Sequence, residues 1–434
     1  MNYPEVIDYL YSRLPIFTRD GSAAFKKDLT NIRALCDALN NPERAFKSVH
    51  IAGTNGKGSS SHMLAAALQT AGYKTGLYTS PHLLDFRERI KVNGDLVPQA
   101  FVIEFVKSNQ ALIEAIQPSF FEVTVAMAFR YFADAAVDIA VIETGLGGRL
   151  DSTNIVEPVM SLITNIGYDH MNMLGNSLRE IAGEKAGIIK RKTPIVVSEK
   201  QEMIDSIFIN QAQELAAPIV FATDQWMIEA CSTDAQFQHL KAIPKDTGAS
   251  KAIDIRLDLR GSYQQKNLPG VLSSIRVLQE NGFTISESQV VESLAKVQAL
   301  TGLMGRWQTL STQPLTICDT GHNEAGWKEI TKGLASTSHK KLHIVLGVMR
   351  DKDLVHMLSL LPKEASFYFC SPGFQRALPA VELKAQAAGY ELAGDAYESV
   401  ESAVKAAQGV ALEEDLIFIG GSTFVVAEAL PLFQ

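Results

Sequence analysis

Short apolar runs alternate with stretches of helical periodicity over most of the chain, the arrangement a parallel α/β sheet requires. Ser48 to Ala52 reads as a short buried strand. After Lys57, the residues Met63, Leu64, Ala67, Leu68 and Ala71 recur at helical spacing, and Gly72 is placed to end that helix. Val137 to Glu143 (VDIAVIE), Val159 to Ile166 (VMSLITNI) and Thr193 to Ser198 (TPIVVS) are predicted strands. From Trp226 to Leu259 the pattern weakens into short alternating pieces, an antiparallel excursion. Periodicity lapses around Ala299 to Met304, where a linker is expected. A second strand-and-helix series follows, through LTICD, KLHIVLGVM, ASFYFCS and DLIFIGG. The expectation is two α/β domains, residues 1–300 and 304–434, joined near residue 302.

A length of 434 residues supports that division, since single cores stop growing well below it. With 46% hydrophobic and 20% charged residues, the composition is that of a globular protein. A net charge of -8 argues against a dedicated nucleic-acid binder. Cys36, Cys231, Cys318 and Cys370 lie far apart with no C-x-x-C pair, which suits reduced thiols rather than a zinc site or disulfide framework. The N-terminus, MNYPEVIDYLYSRLP, lacks a basic start followed by an apolar stretch, and no apolar run approaches the ~20 residues of a membrane helix. The expectation is a cytoplasmic protein without a membrane or nucleic-acid partner.

Candidate chemistry begins at His50 to Ser60, HIAGTNGKGSS. The common phosphate loop has a glycine five places before the Gly of Gly-Lys, and Ser or Thr directly after the Lys. Here Ile51 holds the first position and Gly58 intervenes before Ser59. The context is still strand, glycine loop, lysine, helix. Backbone N–H groups at a helix N-terminus favour an anion, and Gly53, Thr54, Asn55, Gly56 and Gly58 would let the main chain approach one. Lys57 would add positive charge, and Ser59 or Ser60 a hydroxyl for Mg²⁺. The plain alternative is a glycine-rich turn before a helix.

Three further segments favour the nucleotide reading. VDIAVIE delivers Glu143 at the carboxyl end of a buried strand, followed by TGLGGRLDSTN, where open α/β sheets place ligands. The next strand ends in TNIGYDHMNMLG and brings His170 to the same edge. In EIAGEKAGIIK, a helix carrying Ile181, Ala182 and Ala186 would bring Lys185 close to that edge. A desolvated lysine there could react with CO₂ and become a carbamate, a carboxylate-like metal ligand.

With these residues together, the chain resembles the folylpolyglutamate synthase and dihydrofolate synthase family of the Mur-ligase superfamily. The matching segments are GTNGKGSS (Gly53 to Ser60), TSPHLLDFRERI (Thr79 to Ile90), ETGLGGRLDSTN (Glu143 to Asn154), TNIGYDH (Thr164 to His170) and EKAGIIK (Glu184 to Lys190). GRWQ (Gly305 to Gln308), DTGHNEAG (Asp319 to Gly326) and GVMRDKD (Gly347 to Asp353) follow. They occur in family order, and their specificity lies in the combination.

The resemblance implies an ATP-dependent amide ligase: a P-loop domain of the Mur-ligase central type with a mostly parallel sheet, plus a smaller Rossmann-like C-terminal domain. It implies Ser59 and Glu143 on one Mg²⁺, and His170, Glu143 and carbamylated Lys185 on a second, with Ser60 as the alternative hydroxyl. Asn267, Arg306 and Asp319 stand where the family contacts ATP. His322 would help hold the incoming glutamate, with Ser422 a further candidate. Phe121, Glu122, Leu150 and the loop around His82 fall where the family builds its pterin pocket. Lys57, Lys185, His170 and His322 are the expected catalytic groups. The substrates implied are ATP, L-glutamate and dihydropteroate or a reduced folate, for a protein expected to be monomeric. In the implied reaction the substrate carboxylate attacks the γ-phosphorus, giving an acyl phosphate and ADP. The glutamate amine then displaces phosphate, and closure of the C-terminal domain should exclude water.

Three positions depart from the family pattern. Tyr263 stands where it usually has His before Gln264, Met304 replaces Pro before Gly305-Arg306, and DTGHN replaces DGAHN. All three bear on adenine recognition. A Mur ligase acting on a peptidoglycan precursor is the related alternative, but only about 50 residues precede the loop, too few for the usual nucleotide-sugar domain. A non-catalytic P-loop regulatory protein would have no need of Glu143, His170 and Lys185 converging on the loop.

Overall fold

The computed structural model describes residues 1–21, 28–245, 251–350 and 354–434. The last three residues of the GVMRDKD segment therefore lie outside the described residues. The chain forms two compact units: residues 1–258 with 264–303, and residues 259–263 with 304–434.

The first unit is built on an eight-stranded sheet: β1 (Lys47–Ala52), β2 (Thr75–Tyr78), β3 (Ile90–Val92), β4 (Asp95–Leu96), β5 (Ile139–Glu143), β6 (Met160–Ile163), β7 (Ile195–Val197) and β8 (Ile219–Phe221). Their spatial order is β4-β3-β2-β5-β1-β6-β7-β8. All neighbours are parallel except the pairs of β3 with β2 and with β4. β1, β5, β6 and β7 are buried along most or all of their length, which is why they read as continuous apolar runs rather than alternating ones.

The sequence reads β5, β6 and β7 slightly too long. Val137 and Asp138 precede β5, where Asp138 N pairs with Lys74 O outside the ladder. Thr164 to Ile166 leave β6: the Thr164 and Asn165 side chains bond the loop after β1, and Ile166 N and O bond the Gln201 side chain. Gly72 takes a left-handed conformation past the end of helix Lys57–Thr70, as expected. That helix is buried over ten consecutive residues from Ser59 to Leu68, more completely than one apolar stripe implies. Helices Gln264–Glu280, Glu287–Leu294 and Val297–Thr301 lie against it.

The antiparallel excursion is a three-stranded sheet of β9 (Trp226–Thr233), β10 (Gln238–Pro244) and β11 (Ile253–Leu257), with β10 central. The predicted linker begins later than the sequence suggests. Val297–Thr301 is a short helix, held by the Thr301 hydroxyl on Val297 O and by His62 and Lys91 on Thr301.

The second unit has a six-stranded sheet of β12 (Gln308–Thr312), β13 (Leu315–Asp319), β14 (Leu342–Leu346), β15 (Ser366–Phe369), β16 (Gly394–Ala396) and β17 (Leu416–Gly420). The order is β12-β13-β17-β14-β15-β16, parallel but for the β12 edge. Trp327, Phe367, Phe369 and Phe418 are the large side chains of its core. This is the mostly parallel α/β pair the sequence implies. The four cysteines are free thiols, and among the described residues no helix is long and apolar enough to cross a membrane.

Candidate functional site

In the first sheet β1 lies between β5 and β6, with β2 beyond β5. The chain therefore reverses its direction of winding at β1, and open α/β sheets bind ligands in the crevice at such a point. The loop after β1, the carboxylate ending β5 and the segment after β6 emerge side by side there.

The loop after β1 is tied down from the β6 side. Thr54 N donates to Asn165 O (2.8 Å), Asn55 N to Asn165 Oδ1 (2.9 Å) and Thr164 Oγ1 to Asn55 O (2.6 Å). Thr54 Oγ1 donates to Gly167 O and accepts from Gly167 N. Two glycines have steric reasons. A Cβ on Gly53 would stand 1.8 Å from Thr164 Oγ1. Gly56 is left-handed at φ 84°, and its Cβ would stand 2.2 Å from Asn267 Oδ1. Helix Lys57–Thr70 begins immediately after Gly56, which has no side chain to cap it. The first N–H groups of that helix, through Lys57, Gly58 and Ser59, consequently have no intrahelical acceptor. This cradle of amides at the positive end of a helix dipole fits a phosphate group.

Lys57 Nζ donates to Gly53 O (3.0 Å) and Thr54 O (3.2 Å). Lys185, near the end of helix Leu178–Ala186, is 3% exposed and donates to the same Gly53 O at 2.8 Å. Burial, and then the charge of Lys57, lower its pKa to about 7, so much of the amine is neutral near neutral pH.

Glu143 ends β5 opposite Ile51 and is buried, with Ser80 N donating to Oε2 at 3.3 Å. The glycine loop after it is pinned by Asp151, which sequence patterning does not single out. Asp151 Oδ2 accepts Leu146 N at 2.7 Å, and Oδ1 accepts Thr153 N and Oγ1. Burial keeps the Asp151 pKa raised despite these donors. His170 is left-handed (φ 50°) at the start of helix Met171–Leu174, with Nε2 3.8 Å from Asp169 Oδ1. Ser59 and Glu143 offer oxygen donors that suit Mg²⁺. Among the described residues no group of three or more His, Cys, Asp and Glu side chains could hold a metal. The expected sets draw on a serine hydroxyl and a lysine, which lie outside those types. Ser59 Oγ accepts from Gln264 Nε2 (3.0 Å), while Ser60 Oγ is buried without a hydrogen-bond partner.

The residues expected around a pterin have other attachments. His82 accepts from Arg89 Nε at Nδ1 (2.7 Å), so its Nε2–H faces the Tyr11 hydroxyl (2.9 Å), and burial lowers its pKa to about 3. The Glu122 carboxylate closes the capping box of helix Phe120–Asp134 with Ser119. Phe121 packs on Gly145 and Leu150 is half-buried.

In the second unit, β13 and β17 are paired so that Asp319 stands opposite Gly420. The segments bearing His322 and Ser422 thus leave one edge of the sheet. Asp319 is fully engaged: Oδ1 accepts Gly321 N, and Oδ2 accepts Trp307 N (2.8 Å) and the Tyr263 hydroxyl (2.6 Å). Burial raises its pKa, against the pull of Arg306. Arg306 bonds Thr320 Oγ1 and Gly305 O. His322 Nδ1 donates to Thr320 O (3.0 Å). Ser422 caps helix Thr423–Ala429 by accepting Val425 N.

Comparison with known proteins identifies the family of the chain. Residues 51–275 match the Mur ligase middle domain and residues 305–423 the Mur ligase, glutamate ligase domain. The chain is 32% identical over 440 residues to the dihydrofolate synthase/folylpolyglutamate synthase of Bacillus subtilis (strain 168), covering 98% of each. Its structure is similar to Mycobacterium tuberculosis folylpolyglutamate synthase complexed with ADP, at a TM-score of 0.89 and 30% identity over 99% of this chain and 98% of that one. It is also similar to E. coli FolC in complex with DHPP and ADP, at a TM-score of 0.86 and 27% identity over 100% and 97%. The chain therefore belongs to the dihydrofolate synthase/folylpolyglutamate synthase family, ATP-dependent ligases of the Mur ligase superfamily.

Proposed function

We propose that this chain joins the amino group of L-glutamate to the carboxylate of dihydropteroate and of reduced folates at the expense of ATP. The observation that carries the reading is the meeting of Lys57 and Lys185 on Gly53 O, at the mouth of the phosphate cradle and beside the Glu143 strand. Relatives of the same length bear both activities in their names, and one of them holds DHPP and ADP together.

A carboxylate is a poor acyl donor because hydroxide would have to leave. Transfer of the γ-phosphoryl group to it gives an acyl phosphate and ADP. The helix N–H groups and the Lys57 ammonium stabilise the charge spread over the phosphoryl oxygens. Ser59 with Glu143, and Glu143 with His170 and the carbamate of Lys185, would hold two Mg²⁺ ions, which supply further neutralisation of that charge. The neutral Lys185 amine is the group that can form the carbamate: its nitrogen bonds the carbon of CO₂ and loses a proton. Asn267, Arg306 and Asp319 orient the nucleotide. His322, with Nδ1 held by Thr320 O, turns Nε2 toward the incoming glutamate, and Ser422 helps hold it. Phe121, Glu122, Leu150 and His82 border the pterin. The protein acts as a cytoplasmic monomer.

The test is incubation of the purified protein with Mg-ATP and labelled glutamate, offering dihydropteroate and tetrahydrofolate separately. Incorporation with both is expected. Incorporation with only one restricts the assignment to that activity, and incorporation with neither overturns it.

A further inference from the structure

Asn154 closes the segment ETGLGGRLDSTN and is buried in the short helical turn Ser152–Ile155, which Asp151 caps. Its backbone is held on both sides: Asn154 N donates to Asp151 O (2.8 Å), and Lys190 Nζ donates to Asn154 O (2.8 Å). Its side-chain amide has two hydrogens and two carbonyl acceptors, Arg149 O and Gly187 O, each at 3.0 Å. Turning the amide over would set Oδ1 against both carbonyl oxygens, so the orientation is fixed.

The two carbonyls belong to different segments. Arg149 lies in the glycine loop that follows Glu143, and Gly187 lies two residues past Lys185. These segments are in close contact. Arg149 N donates to Glu184 O at 2.7 Å. A Cβ on Gly148 would stand 3.0 Å from Lys185 O, and one on Gly187 would stand 2.3 Å from Arg149 Cβ. Arg149 is thus joined to the end of the Lys185 helix directly through its N–H, and through its C=O by way of Asn154. An ion pair spans the same contact, Arg149 Nη2 to Glu184 Oε1 at 2.8 Å, but the arginine side chain is 56% exposed, and such pairs contribute little. The buried amide is the stronger tie.

We propose that Asn154 is a positioning residue that fixes the end of the Lys185 helix against the loop after Glu143, so that the Lys185 carbamate and the Glu143 carboxylate converge on one metal. The proposal rests on the reading of Lys185 as a carbamate. A metal-binding group keeps its place only as well as the partners behind it hold it. The carbamate forms as Lys185 Nζ bonds the carbon of CO₂ and loses a proton, and contact with the metal stabilises it. Displacing the helix end from the Glu143 loop weakens that contact and lowers the affinity for CO₂.

The experiment is ¹³C nuclear magnetic resonance of the full-length chain with Mg-ADP at one pH, titrated with ¹³C-labelled bicarbonate as the source of dissolved CO₂. Wild type, Lys185→Ala and Asn154→Leu, which keeps the volume and removes both donors, are compared. Wild type is expected to show a carbamate carbon that is absent from Lys185→Ala. Asn154→Leu should need about fivefold more CO₂ for half-occupancy, within the range for losing two hydrogen bonds. A merely structural role would lower the melting temperature and leave half-occupancy of the folded protein unchanged. Should Asn154→Leu fail to fold, Asn154→Ser replaces it, since its single donor cannot bridge both carbonyls. Wild-type half-occupancy in the Asn154 variant overturns the proposal and leaves the carbamate reading intact. A wild-type protein without the carbamate carbon, or a carbon that persists in Lys185→Ala, overturns both.

Discussion

Lys185 Nζ donates to the carbonyl oxygen of Gly53 across 2.8 Å and 132 residues of sequence. Lys57 reaches the same oxygen at 3.0 Å. One acceptor thus serves two lysines, and burial lowers the pKa of Lys185 to about 7.

CO₂-depleted enzyme is expected to regain activity on adding bicarbonate. At a constant concentration of dissolved CO₂, its initial reactivation rate should rise with pH through about 7 and level above it, following the neutral amine. Lys185→Ala should lower kcat by about 100-fold or more, with no bicarbonate response. Unchanged activity of that variant, with or without bicarbonate, excludes the carbamate. Stability has its own sign. The folded pKa lies below the ordinary value, so from about 7 upward the unfolded chain binds more protons and stability rises with pH. Lys185→Met should therefore raise the melting temperature most on the acid side of neutrality.

Gly56→Ala places a methyl group 2.2 Å from Asn267 Oδ1 in a left-handed backbone. Strain of this kind costs about 1–3 kcal/mol, so Mg-ADP affinity should fall roughly tenfold or more. Calorimetry measures the loss. Gly183→Ala, where nothing lies within 4 Å of an added Cβ, serves as the control with unchanged affinity.

Tyr263→Phe removes the hydroxyl that donates to Asp319 Oδ2 at 2.6 Å and leaves a buried carboxylate one donor short. The cost is about 1–3 kcal/mol, read as a lower melting transition together with a raised KM for ATP. Tyr263→His restores the family residue and should recover part of both. A Phe variant with wild-type melting and KM removes Tyr263 from nucleotide recognition.

Asp258 accepts Gln298 N at Oδ2 (2.8 Å), but its Oδ1 is buried without a partner, and burial raises its pKa to about 6. A raised carboxylate binds more protons when folded, so its cost grows as pH climbs toward 6 and persists above. Asp258→Asn is expected to raise the melting temperature by about 1–2 °C above neutrality and to have no benefit near pH 4. A gain independent of pH would assign the effect to packing instead.

Much of the site is legible in the amino-acid sequence. HIAGTNGKGSS carries its own strand, turn and helix, because glycine freedom and helix ends are local properties. Glu143 and His170 stand out because each follows an apolar strand, and Lys185 because Ile181, Ala182 and Ala186 bury one face of its helix. Gln264 and Asp151 give no comparable sign. Each lies close to the loop in space, but its role depends on bonds to Ser59 and to the Leu146 backbone. Glu122 shows the converse: its Ser-x-x-Glu spacing is a capping signature, and the structure uses it so.

The sequence alone determined the fold class and the family, since these rest on local periodicity and on motifs in order. Only the tertiary structure decided which groups meet. The order β5-β1-β6 brings Glu143, the Gly53 loop and the Thr164–His170 segment to one sheet edge. Burial there lowers the Lys185 pKa, and a helix more than 200 residues downstream hydrogen-bonds Ser59. Hydrogen bonds and desolvation act through space over a few ångströms, and no spacing along the chain encodes them.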